Sequence, residues 1–352
     1  MRLFIFNFKS FKNSKATSFG KIGRNVLIIT VIFFVCWEIF WRHMGFISVH
    51  DDNKDLWADK RLQASQIGKE SIIIIGSSRV FYGIDTVRLS ELTKQPVIQL
   101  AINGSSPLPI LEDLSQDQNI KGLIICGIVP NFYFNLRTIR KSDEYINYAK
   151  NRTIADRFSH FLNFNLEKIF VYPSKKELGF QLILNGAINW DRKNTEVRVP
   201  PQVSRQLTFM DAERRAKLPE IVFHSPSFLF QLQKKLIQGM NLDEIVNEQQ
   251  LKIILERTRK SVQILQKRGV KIAFLRMPST KEYLKREKTH LSREKFWDAL
   301  IHSSGAPGIH FEDYESLRNF DCIDYSHLKS TDATLFTEHL LEILQQKKLL
   351  DL

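Results

Sequence analysis

Four stretches of the chain are apolar almost end to end: "SIIII" at 71–75, "PVIQLAI" at 96–102, "GLIICGIV" at 122–129 and "VKIAFLRM" at 270–277. A strand with one face in water alternates apolar and polar residues. Runs without that alternation belong to strands covered on both faces, as in a parallel sheet. Helical patterns fall between them. Residues 86–93 read as a short helix with Thr86 at its N-cap, and 109–117 as another. "DEIVNEQQLKIILERTRKSVQILQKRG" (243–269) repeats apolar residues at helical spacing and ends on Gly269, a suitable C-terminal cap. "GIHFEDY" (308–314) suggests a fifth strand, and "TDATLFTEHLLEILQQKKLL" (331–350) a final amphipathic helix. Strands alternating with helices predict an α/β protein: an open parallel sheet with helices on both faces.

Two regions break this rhythm. Residues 138–245 mix polar and basic stretches with aromatic ones ("FLNFNLEKIFVY", "FLFQLQ"). They read as a partly helical insertion, a lid or a partner surface. At the other end, residues 1–24 carry Arg2, Lys9, Lys12, Lys15, Lys21 and Arg24 and no acidic residue. "VLIITVIFFVCWEIFW", Val26 to Trp41, follows, with Glu38 near its end, Trp37 and Trp41 at interfacial positions and Arg42 closing it. A basic flank on one side alone predicts a membrane-spanning signal anchor with its N-terminus in the cytoplasm. No small-residue cleavage site follows the run. The expected organisation is therefore a basic tail (1–24), a transmembrane helix (25–42), a polar stalk (43–70) and an α/β domain (71–352) facing the extracytoplasmic side.

The net charge of +13 raises nucleic acid as a partner. No helix or strand pattern concentrates Lys and Arg with aromatics, and part of the charge belongs to the basic tail, so nucleic acid is not expected. Three cysteines, Cys36, Cys126 and Cys322, form no CxxC. That leaves zinc sites and a disulfide framework unsupported, while a Cys126–Cys322 pair stays open. No HExxH and no P-loop motif occurs, and neither a metal nor a cofactor is expected.

The candidate chemistry lies at two strand ends. "GSSR" (76–79) follows the first strand, where open α/β sheets bind ligands. A serine there is placed to attack an electrophile, with nearby backbone N–H groups to hold an oxyanion. "DCIDYSH" (321–327) precedes the last helix, and its Asp324 and His327 stand three apart, a spacing that lets one loop present a carboxylate to an imidazole. Each motif alone is more often a plain turn or a solvated loop.

Together, G-x-S after the first strand and D-x-x-H before the last helix resemble the SGNH hydrolase superfamily, also called the GDSL family. The resemblance covers residues 71–135 and 245–345. It implies the three-layer, flavodoxin-like sheet of that family and acyl transfer at an ester. Register puts the nucleophile at Ser78, with Ser77 where the family has aspartate. His327 would be the base and Asp324 its orienting carboxylate. "LAINGSS" matches the second block and offers Gly104 as an oxyanion donor. "GIVPN" offers Asn131 as another, without the family's G-x-N-D spacing. Arg276 in "FLRMP" has no counterpart in the family, but its place at a strand end, like that of Arg79, would let it face substrate. An anchor, a G-S-S block and a terminal D-x-x-H together look like the membrane-anchored branch that includes the teichoic acid D-alanylation and alginate acetylation proteins. That likeness implies an acylated glycan or small ester as substrate, and a multi-pass acyltransferase as a partner. A serine esterase and an O-acyltransferase are both consistent with it. So is a catalytically silent member that serves as a binding or assembly part of a polysaccharide-modifying complex.

Overall fold

The computed structural model describes residues 19–43, 46–68, 70–171, 209–217, 226–240 and 247–350. Five parallel strands form the central sheet: β1 (Ser71–Ile75), β2 (Val97–Gln99), β3 (Gly122–Gly127), β6 (Lys271–Arg276) and β7 (Gly308–His310), in the order β2-β1-β3-β6-β7. A small antiparallel pair, β4 (Phe209–Met210) and β5 (Ala216–Lys217), stands apart from it. The expected α/β architecture is present, with each apolar run supplying a strand.

The absence of alternation in those runs has its cause in the two cores. Ile73, Ile75, Ile124, Cys126, Ile272 and Phe274 point to one face of the sheet. Ile72, Ile74, Leu123, Ile125, Ala273 and Leu275 point to the other. The first face is covered by α2 (Lys54–Gln66), α5 (Leu108–Gln116), α10 (Glu248–Lys267) and α12 (Ala299–Ser304). The second is covered by α3 (Ser78–Gly83), α4 (Thr86–Thr93) and α14 (Ser330–Gln346). Past the first residue of β2, β3, β6 and β7, and along all of β1, the strands are buried on both sides, so neither side needs polar residues.

Helix ends differ from expectation in detail. Asp85, not Thr86, caps α4: its Oδ1 accepts from the N–H groups of Val87 and Arg88 at 3.2 and 3.1 Å. A carboxylate one residue earlier reaches two free N–H groups, which Thr86, already helical, does not. The long helix α10 runs from Glu248 and ends before Gly269 at φ +81; the expected start at 243–246 lies outside the described residues.

The stalk expected at 43–70 is not a stalk. Residues 54–66 form α2, whose Trp57 is completely buried and donates from Nε1 to the Leu100 carbonyl at 2.9 Å. The segment carries too few apolar residues to look like a core helix, but Leu56, Trp57 and Ala64 suffice to dock it.

The insertion is mostly helical where described, with one short antiparallel strand pair. It contributes α7 (Arg140–Asn151), α8 (Ile154–Ile169), the β4–β5 pair and α9 (Pro226–Gln238). Residues 172–208, 218–225 and 241–245 of it lie outside the described residues. Arg214, between β4 and β5, is fully buried and donates to the Gln99 and Ala101 carbonyls at 2.9 and 3.0 Å, which fastens this pair to the end of β2. Ahead of the domain, α1 (Phe19–His43) is the one helix among the described residues long and apolar enough to cross a membrane. The short helices α6 (Pro130–Tyr133), α11 (Lys281–His290) and α13 (Glu315–Arg318) complete the described set.

Candidate functional site

The chain passes from β1 to β2 on one side of the sheet and continues through β3 on the other. The carboxyl ends of β1 and β3 therefore flank a switch point, the usual ligand site of such sheets. Gly76, Ser77 and Ser78 leave β1 there. A side chain on Gly76 would overlap Val80 Cγ2 and sit 3.1 Å from the Gly127 carbonyl oxygen, so glycine permits the close approach of β1 and β3 under α3. After β2 the chain stays alongside: Ile102 N–H donates to the Gly76 carbonyl at 3.0 Å. That contact carries Gly104 to Ser77, and Gly104 N–H donates to Ser77 Oγ at 3.1 Å. Ser77 is buried, whereas Ser78, the first residue of α3, is half-buried.

The Asp324–His327 loop closes the site from the other side. Asp324 Oδ2 lies 2.7 Å from His327 Nδ1, while its Oδ1 accepts from the N–H groups of Ser326 and His327 at 3.0 and 2.7 Å. One carboxylate thus shapes the turn and orients the ring. Burial, the largest influence, pushes the Asp324 carboxyl upward. The charge of His327 and these hydrogen bonds outweigh it and hold the group below its ordinary value. With Nδ1 fixed on Asp324, His327 Nε2 is buried and makes no hydrogen bond among the described residues, to Ser78 or to any other group. A buried ring nitrogen without a partner calls for an explanation, and here it stands beside the serine turn.

Helix α3 and this loop face each other. Arg79 Nε donates to Ser326 Oγ at 3.1 Å. The Tyr82 ring stands edge-on to His327 with centroids 5.5 Å apart. Tyr82 is four residues beyond Ser78 and so shares its face of the helix. Asn103 Nδ2 donates to the Tyr82 hydroxyl at 3.1 Å, which joins the second block to the same wall. The structure therefore brings Ser77, Ser78, Gly104, Asp324 and His327 to the carboxyl-end side of the sheet, beyond β1.

Asn131 sits in α6 just past β3, buried, with the Tyr283 hydroxyl donating to its Oδ1 at 3.4 Å. That contact directs its amide nitrogen away from Tyr283. The Gly104 amide, expected to hold an oxyanion, is here engaged by Ser77.

Arg79 and Arg276 are placed differently from the expectation that they face substrate. Both are buried and share Glu287 of α11: Arg79 Nη2 donates to Oε1 at 3.0 Å and Arg276 Nη2 to Oε2 at 2.6 Å. Ser279 Oγ also donates to Oε2, at 2.6 Å. Burial pushes the Glu287 carboxyl upward, but the two guanidinium charges and Ser279 hold it below its ordinary value. An arginine at a strand end reads as substrate-facing in sequence because its partner, 208 residues away for Arg79, is invisible there.

Sequence reasoning missed Tyr82, Glu287 and Gln233. Helical spacing from Ser78 is a signal for Tyr82. Glu287 lies in "KEYLKREKTH", which reads as a solvated face and carries no signal. Gln233 of α9 donates from Nε2 to the Ile323 carbonyl at 2.8 Å, so the insertion touches the loop that carries Asp324. Cys126 and Cys322 are both buried and free. A cavity of about 530 Å³ lies away from Ser78 and His327, beside α8; the site rests on the oriented imidazole, not on cavity size.

Fold and site together define a parallel α/β protein with an oriented Asp–His pair opposite a serine turn at the switch point. Compared with known proteins, the chain matches no family model and no curated protein.

Proposed function

We propose that this protein is a membrane-anchored, extracytoplasmic serine esterase or O-acyltransferase of the SGNH type, acting on acyl esters of a cell-envelope or secreted polysaccharide. The observation that carries the reading is the Asp324–His327 pair, whose buried Nε2 has no partner and whose loop faces the helix bearing Ser78. In the proposed reaction Ser78 Oγ attacks the acyl carbonyl while His327 Nε2 takes its proton. The tetrahedral oxyanion is held by the Ser78 amide and the Asn131 side-chain amide, joined by Gly104 once Ser77 releases it. The carbonyl re-forms, the alcohol leaves with the proton from His327, and the acyl group stays on Ser78. Water then yields an acid; a sugar hydroxyl yields a new ester. Burial of Ser77 favours Ser78 as the nucleophile.

Anchoring rests on α1 and on the six basic residues of 1–24, a stretch without an acidic residue, against Arg42 and His43 at the other end of the helix; that excess favours a cytoplasmic N-terminus. The partner in this reading is an acylated glycan, handed over beside a multi-pass acyltransferase. The engaged Gly104 amide favours a second reading, a silent member that binds acylated glycan without turnover.

A fluorophosphonate probe on the full chain in detergent decides between them. The wild type and Ser77→Ala are expected to label, and Ser78→Ala and His327→Ala to lose label. Asp324→Asn should cut the labelling rate by about 10⁴-fold, as loss of the orienting carboxylate does in such triads. Folded wild-type protein that takes no label refutes the acyl-enzyme reading and leaves the binding role.

A further inference from the structure

Helix α8 is built inside out. Ile154, Phe158, Phe161, Leu162, Leu166 and Ile169 recur at helical spacing along one stripe. All six are turned outward, from 40% to 86% exposed. Its buried face is the polar one. His160 Nε2 lies 2.9 Å from Asp59 Oδ2, and Glu167 Oε2 lies 3.2 Å from His50 Nδ1. Phe164, between them, stacks on His50 with ring centroids 4.5 Å apart. A helix on a water-facing surface has the reverse arrangement, because apolar groups gain by leaving water and polar groups lose. A contiguous apolar stripe of this size marks a surface that meets something other than water.

The position of α8 names the occupant. Helix α1 has 25 residues, a length of about 37 Å at 1.5 Å per residue, against a hydrocarbon core of about 30 Å. Its last turns thus emerge at the membrane surface. The end of α8 is fastened to those turns. Val171 N–H donates to both oxygens of Glu38, at 3.0 and 2.9 Å, and Arg42 Nη2 donates to the Ile169 carbonyl at 2.7 Å. Glu38, out of place in an apolar span, is buried in this joint. Arg157 and Lys168 run along one edge of the stripe and, with Arg152 and His160, line the cavity of about 530 Å³. Cations beside an apolar stripe suit anionic headgroups above acyl chains.

We propose that α8 lies in the interfacial layer of the bilayer that α1 crosses, its apolar stripe against the acyl chains and Arg157 and Lys168 among the lipid phosphates. The inference rests on the anchor part of the reading above and not on the serine chemistry.

Site-directed fluorescence on the full chain tests it. Phe158→Cys, Phe161→Cys and Leu162→Cys are made in a Cys36→Ser background, since Cys126 and Cys322 are buried. Each is labelled with an environment-sensitive dye and reconstituted into phosphatidylcholine–phosphatidylglycerol vesicles. Glu342→Cys, an exposed position on α14, serves as the water control, and a label on native Cys36 reports on α1. The α8 labels are expected to be quenched several-fold more by acyl-chain doxyl lipid than by iodide, with the reverse at 342. Iodide quenching of the α8 labels like that at 342, with Cys36 still quenched by lipid, overturns the proposal and spares the anchor. Shielding from both quenchers means that protein, a second copy or a partner, covers the stripe, and also overturns it. Iodide access at Cys36 overturns the anchor and the proposal with it.

Discussion

Replacing Glu287 by Gln strands two buried cations. Arg79 and Arg276 are each at most 4% exposed, and Glu287 is 2% exposed. The carboxylate accepts three hydrogen bonds, from Arg79, Arg276 and Ser279. With Glu287 in place the cluster carries one net positive charge; with Gln it carries two, and one charge-assisted acceptor becomes a donor. Removing one partner of a buried ion pair costs about 3–5 kcal/mol, most of it the penalty of the uncompensated charge. Two arginines share this partner, so the upper half of that range is expected. Arg88→Ala, which breaks a solvent-exposed pair with Glu338, should cost far less, because water screens that pair. The assay is urea denaturation followed by tryptophan fluorescence, at pH 7 and at lower pH. Glu287 is held below its ordinary value in the folded state, so its stabilisation is complete above the unfolded carboxylate pKa. It is lost as the pH falls through the folded value. The gap between Glu287→Gln and wild type should therefore narrow in acid. A gap at pH 7 no larger than that of Arg88→Ala refutes the account of the cluster. Because Arg79 also holds Ser326 beside His327, the same substitution should slow fluorophosphonate labelling even where the protein remains folded.

Two further outcomes follow from the packing. Trp57→Ala should destabilise the domain by about 3–5 kcal/mol, read from the same urea curves, because the side chain is fully buried between α2 and the sheet; a near-neutral result would return residues 54–66 to the role of a tether. Burial, aided by the charge of Arg276, pushes the His310 imidazole down to about 3, and its unprotonated Nδ1 accepts from Glu312 N–H at 3.2 Å. The unfolded chain takes up that proton below about pH 6.5 while the folded one does not, so stability is lost as the pH is lowered through this window, by up to about 1.4 kcal/mol per unit. His310→Phe should flatten the dependence between about pH 6 and 5; an unchanged slope there would show that His310 does not contribute it.

Much of the fold could be read from local pattern. Runs such as Ile72–Ile75 and Leu123–Cys126 lack a polar side, and a strand without a polar side has to be covered twice. That requirement alone implies a parallel sheet between helix layers. The end of β1 at Gly76 and the three-residue step from Asp324 to His327 are also local, so the residues of the candidate site were legible as types in order along the chain. Their meeting was not. Ser78 and Asp324 are far apart in sequence, and only the crossover at β1 and β3, with α3 laid against the 324–327 loop, sets them face to face.

What the sequence determined by itself is whatever depends on one segment's contact with its surroundings in general: which runs are strands, where a helix apolar enough for a membrane lies, which turns carry serine, aspartate and histidine. What tertiary structure decided is whatever depends on a particular partner. Arg79 and Arg276 look like substrate ligands until Glu287 is found between them. Residues 54–66 look like a tether until Trp57 is found in the core. The stripe on α8 reads as part of a lid or a partner surface until it is found turned outward beside the end of α1. The physical reason is the same in each case. Burial and ion pairing are properties of pairs distant in sequence, and a single segment records its own hydrophobicity but not the identity of what covers it.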